Sequence, residues 1–76
     1  MSVTVYSTPD CEYCKATKEY LKANGIEYSE KDVYRDRAAA REMVAKSGGR
    51  AVPVVDINGH IVVGFDQDKI DRLLGI

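Results

Sequence analysis

The residues best suited to chemistry in this chain fall in one stretch, Asp10-Cys11-Glu12-Tyr13-Cys14, which holds its only two sulfhydryls. Two cysteines with two residues between them can close a small disulfide with little backbone movement, because the first turn of a helix brings positions i and i+3 together. A reversible dithiol is therefore one reading. The same spacing is half of a structural zinc site, but such a site takes four soft or borderline ligands, and to the two cysteines the sequence adds only a distant His60. A permanent staple is a third reading, although a bridge closing so short a loop removes little entropy from the unfolded chain.

Ahead of the pair, Met1 to Tyr6 alternates apolar and small polar residues, and Ser7-Thr8-Pro9-Asp10 supplies turn chemistry, so a short strand delivers the cysteines. From Cys11 to Asn24 the spacing becomes helical, with Cys14, Thr17 and Leu21 on one face, Tyr13 and Tyr20 beside it, and Gly25 as the stop. Cys11 then lies at a helix N-terminus, where backbone N–H groups and the helix dipole favour a thiolate. Cys14 lies one turn inside, on the apolar face, where a thiol stays protonated. In the dithiol reading, this position suits Cys11 as nucleophile and Cys14 as resolving thiol. Glu12 places a negative charge beside Cys11 and disfavours the thiolate, and Lys15 offsets part of that.

The remaining elements follow the same logic. Ile26 to Val33 is β-permissive but heavily charged, which suits a strand with limited burial or one near an edge. Asp36 can cap a helix over Arg37 to Lys46 whose inward residues are expected to be Ala40, Met43 and Val44, ended by Ser47-Gly48-Gly49. Two β-branched runs then flank Asn58-Gly59, a strong signal for a hairpin with a type I′ turn. Asp66 is a candidate cap for a last helix with Ile70, Leu73 and Leu74 on one face. The order βαβ, helix, β-hairpin, helix predicts one α/β domain spanning residues 1–76, with a four-stranded mixed sheet flanked by helices. With Cys-x-x-Cys after the first strand, this is the pattern of a thioredoxin-like fold.

Composition narrows the function classes. Lys plus Arg (11) nearly balance Asp plus Glu (12) and are scattered, so the electrostatic footprint of a nucleic-acid binder is missing. No apolar run approaches the roughly 20 residues of a membrane span, and the N-terminus lacks a basic segment followed by a long apolar core. A cytoplasmic protein, with no nucleic-acid or membrane partner, is the expectation. There thiols are held reduced, and a Cys-x-x-Cys pair is more often catalytic or metal-binding than a permanent staple.

Three segments together resemble the glutaredoxin family over nearly the whole chain. Val5 to Cys14 is similar to its active-site strand and loop, Ser47 to Pro53 to its cis-proline segment, and Gly64-Phe65-Asp66 to the start of its last helix. The resemblance implies a thiol-disulfide oxidoreductase, expected to be a monomer, acting on protein disulfides or on glutathione mixed disulfides, with glutathione as co-substrate and no bound cofactor or metal. It also implies a cis Val52-Pro53 bond beside the dithiol, with the Val52 backbone offered to the substrate and Tyr13 packing next to it. Gly64, Phe65 and Asp66 would meet the γ-glutamyl end of glutathione, and Arg37 and Arg41 its glycine carboxylate. Two departures stand out: Glu12 replaces the usual Pro between Cys11 and Tyr13, and Thr8 replaces a frequent cation. Gly-Phe-Asp in place of the more usual Gly-Cys-Asp also resembles the NrdH-type hydrogen donors of ribonucleotide reductase, which take electrons from thioredoxin reductase. A further alternative is an iron-sulfur carrier sharing a cluster between two chains through Cys11.

Overall fold

With Val3 and Val5 buried on one face and Tyr6 on the other, the first strand, β1 (Val3–Ser7), runs through the interior of a four-stranded sheet; the computed structural model describes all 76 residues, Met1–Ile76. The other elements are α1 (Glu12–Ala23), β2 (Ser29–Asp32), α2 (Arg37–Ser47), β3 (Val54–Ile57), β4 (His60–Val63) and α3 (Gln67–Leu74). Strand order is β2-β1-β3-β4, with β1 parallel to β2 and antiparallel to β3, and β3 antiparallel to β4. This is the mixed sheet and element order expected from the sequence, and the fold is thioredoxin-like.

The period of two along each strand sorts side chains onto two faces. Val3, Val5, Val55, Ile57 and Val62 face α1 and α3, where they meet Leu21, Ile70 and Leu74 in the main core. Tyr6 and Val54 face α2 and pack on Met43 in a smaller cluster. β2 is a charged edge strand with no fully buried residue, as its composition requires. No helix is long and apolar enough to cross a membrane.

The second and third helices begin on the expected caps, Asp36 and Asp66, and the first is capped by Cys11 itself. The Cys11 sulfur accepts from the Cys14 N–H, Asp36 from the Ala39 N–H at 3.1 Å, and Asp66 from the Lys69 N–H at 3.2 Å. The hairpin turns through Asn58 (φ 52°) and Gly59 (φ 90°), both in the left-handed region that a type I′ turn demands.

One expected face is corrected. On α2 the buried residues are Ala39 and Met43, whereas Val44 is 38% exposed and Ala40 half-buried. The run Ala38-Ala39-Ala40 fits several helical registers equally well. Polar contacts choose among them: Glu42 and Lys46 both reach the Tyr6 hydroxyl from α2, and this turns Ala39 and Met43 toward the sheet.

Candidate active site

The strand register brings the chemically distinctive segments to one end of the sheet. Tyr6 pairs with Val54 and Val54 with Val63, so the residues after β1, before β3 and after β4 emerge together. Ser7 pairs with Asp32 in the parallel strand, which places Val33, Tyr34 and the start of α2 at that end as well. Cys11, Val52-Pro53, Gly64-Phe65-Asp66 and Arg37 therefore share one edge although they are spread through the sequence. His60 pairs with Ile57, which pairs with Val3, so it stands at the opposite end of the sheet from the cysteines.

Cys11 and Cys14 are joined in a disulfide, with Cα atoms 5.1 Å apart. Cys11 sits in extended backbone just before α1, and its Sγ accepts the Cys14 N–H at 3.1 Å. The first turn of the helix thus aims a backbone donor at this sulfur, and both that donor and the helix dipole favour negative charge on it. Cys11 is partly accessible, whereas Cys14 is fully buried on the face that carries Thr17 and Leu21. Burial favours the neutral thiol. Tyr13, between them in sequence, is 69% exposed. Glu12 and Lys15 form an exposed pair at 3.7 Å.

The Val52-Pro53 bond is cis, as the resemblance implied, and Pro53 is buried. Its carbonyl accepts the Gly64 N–H at 2.8 Å, which fastens the turn after β4 to the proline segment. Gly64 has φ 81°, so the chain leaves β4 for α3 through a conformation that a side chain would strain. Val52 lies outside β3, and neither its N–H nor its C=O has a backbone partner within the chain. An unpaired donor and acceptor on an extended segment is what a strand-like ligand needs.

The residues expected to bind substrate divide into two groups. Val52, Arg37 and Arg41 line one open groove of about 710 Å³ along α2, together with Thr8, Tyr34 and Arg50. Gly64, Phe65 and Asp66 lie outside it. The Phe65 ring packs edge-on against Tyr20 at 5.8 Å and against the main core, and the Asp66 carboxylate is engaged as the cap of α3. Arg50 and Tyr34 were not distinguished by sequence reasoning. The available signal for Arg50 was its place three residues before Pro53; Tyr34, in an irregular loop, offered none.

Two polar networks tie these elements together. On the α2 face, the buried Tyr6 hydroxyl donates to Glu42 at 2.5 Å and accepts from Lys46 at 2.8 Å; Lys31 pairs with Glu42 and Lys46 with Asp56, each at 2.7 Å. Burial, then the Glu42 contact, pushes the Tyr6 phenol up, while Lys46 holds the Asp56 carboxyl below its ordinary range. Toward α1, the buried Ser7 hydroxyl donates to Glu30 at 3.1 Å and Lys18 donates to the same oxygen at 2.7 Å, with Lys18 chiefly lowering the Glu30 carboxyl.

Comparison with known proteins agrees with this geometry. A family model described as Glutaredoxin matches residues 3–62. A glutaredoxin-like 8.6 kDa protein in a rubredoxin operon of Clostridium pasteurianum is 43% identical over 72 residues, 95% of this chain and 96% of that one. The glutaredoxin-like protein NrdH of Escherichia coli is 36% identical over 73 residues, 96% of this chain and 89% of that one. Among solved structures, a variant of the thioredoxin-like protein BC3987 superposes with a TM-score of 0.93 at 39% identity, covering 99% of this chain and 96% of that one.

Proposed function

This chain belongs to the glutaredoxin family, and we propose that it is a thiol-disulfide oxidoreductase that reduces protein disulfides or glutathione mixed disulfides. The observation that carries the reading is the asymmetry of the pair: Cys11 is accessible and capped by a helix amide, and its partner Cys14 is fully buried.

The reduced dithiol acts in two exchanges. The Cys11 thiolate attacks one sulfur of a substrate disulfide, a Cys11–substrate bond forms, and the other substrate sulfur leaves as a thiolate that takes up a proton. Cys14 then loses its proton and attacks Cys11 Sγ, which closes the Cys11–Cys14 disulfide and releases the second substrate sulfur. The substrate gains two electrons and the protein is left oxidised, the form described here. Val52 would pair with the substrate backbone during the first exchange, and Tyr13 would cover it. The structure supports these roles by leaving the Val52 backbone unpaired and Tyr13 exposed in the first turn of α1.

A second reading is favoured by the similarity to NrdH over nearly the whole chain and by Phe65 in the Gly-Phe-Asp turn. In it, the oxidised protein is reduced by thioredoxin reductase and donates to ribonucleotide reductase. The test supplies the oxidised protein with NADPH and either glutathione plus glutathione reductase, or thioredoxin reductase alone, and follows consumption of NADPH. Turnover with glutathione supports the first reading; turnover with thioredoxin reductase only would sink it in favour of the second. No turnover in either mixture, with the disulfide intact, would refute both.

A further inference from the structure

The groove along α2 carries a charge pattern that exchange at Cys11 does not require. Arg37, Arg41 and Arg50 line it and no carboxylate does. None of the three takes part in the five ion pairs of the chain. The acidic residues closest in sequence are already engaged: Asp32 accepts the Tyr34 N–H and faces Arg35, Asp36 caps α2, and Glu42 holds Lys31 and Tyr6. The segregation is large for a nearly neutral protein. Outside the groove, eight Lys and Arg face twelve Asp and Glu, a formal charge of −4, whereas the groove holds +3.

Its floor is apolar, built from Val33, Met43, Val44 and Val52, with Val44 38% exposed and Tyr34 76% exposed at the rim. A guanidinium with no partner is a ready fork for a carboxylate, and an apolar floor between such forks gains from covering by an apolar side chain. A lone small carboxylate occupies one fork. Three forks, spread from the first turn of α2 to the loop ahead of Pro53, match a chain with several carboxylates. Val52 closes the groove toward the proline segment with its free backbone donor and acceptor, the means of aligning an extended polypeptide.

The geometry points to a docking groove for an extended, acidic segment of a disulfide-bearing protein substrate. Its carboxylates sit on Arg37, Arg41 and Arg50, an apolar side chain covers the Met43–Val44 floor, and its backbone pairs with Val52. This assignment rests on the exchange activity proposed above and adds the class of substrate that the activity prefers.

The experiment uses two peptides of equal length, each with one disulfide and one flanking Leu, differing only in flanking Glu against flanking Gln. Two quantities are read on the full chain: the rate at which the reduced protein reduces each peptide, and the anisotropy of labelled versions carrying Ser in place of Cys, titrated with oxidised protein. Each exposed charge pair is expected to give about a two- to fivefold preference for the Glu peptide. The preference should fade between low salt and about 0.5 M NaCl, where screening becomes short-ranged. It should disappear in the triple variant Arg37→Gln/Arg41→Gln/Arg50→Gln. Because the result is a ratio of two substrates on one protein, partial loss of folded protein cancels. Equal reduction and equal binding of the two peptides by the wild-type chain would overturn the docking assignment alone, as would a preference that survives in the triple variant. Selective binding of the Glu peptide without reduction of either peptide would overturn the exchange reading and leave the docking groove standing.

Discussion

Tyr6→Phe isolates one hydroxyl at the point where α2 is fastened to the sheet. The ring is fully buried and remains in place, so its packing on Met43 and Val54 persists, as do the contacts of Lys31 and Lys46 over the ring at 5.9 and 5.2 Å. What is lost is one bond donated to Glu42 at 2.5 Å and one accepted from Lys46 at 2.8 Å. A hydrogen bond to a charged partner contributes about 1.5–3 kcal/mol. Glu42 keeps Lys31, Lys46 keeps Asp56, and both pairs are partly exposed, so water can replace some of the loss. The expected destabilisation is therefore at the lower end, about 1.5–2 kcal/mol. A domain of this length has a total stability of about 4–11 kcal/mol, so the melting temperature should fall by roughly 10 °C. Urea unfolding followed by far-UV circular dichroism should show a lower midpoint and an unchanged slope. A loss under about 0.5 kcal/mol would refute the reasoning, because it would mean that solvent replaces the hydroxyl at no cost. A loss of the same size in a Glu42→Gln/Lys46→Gln background would refute it too, since the bonds to charged partners are then already gone.

Three further outcomes are expected. Cys14→Ser should accumulate a mixed disulfide between Cys11 and a disulfide substrate, visible by mass spectrometry, whereas Cys11→Ser should form none; an adduct on Cys14 in Cys11→Ser at a comparable rate would reverse the assignment. Glu12→Pro removes an exposed negative charge beside Cys11, and iodoacetamide should alkylate the reduced variant up to several-fold faster at neutral pH; a slower reaction would contradict the proposed effect of Glu12. Glu30, Glu42 and Asp56 have carboxyls lowered chiefly by Lys18, Lys31 and Lys46 respectively, so their contribution is present above the ordinary carboxylate range and is lost as pH falls through the folded values. Melting temperature should accordingly be level near neutrality and drop below about pH 4; a rise on acidification would show that these pairs do not stabilise the fold.

Local signals made much of the fold legible. The Asn58-Gly59 turn, the caps at Asp36 and Asp66 and the face of α1 depend on residues only a few positions apart, and they form as expected. The site was legible at Cys11 and Cys14 because helix geometry alone places i and i+3 together. The inward face of α2 was not, because a run of alanines carries almost no periodic signal and the register is chosen by Tyr6, some 30 or more residues earlier in the chain.

The sequence by itself determined the dithiol, the order of elements and the family to which the chain belongs, since each rests on short-range spacing and on motifs read in one pass. Only the tertiary structure decided which separate segments meet. Strand register carried Val52, Arg37, Arg41 and the later Arg50 to one groove, and it sent Phe65 to pack against Tyr20 outside that groove. The reason is physical: a pairing register is set by the burial of both faces of the sheet at once, and no local window of sequence contains both faces.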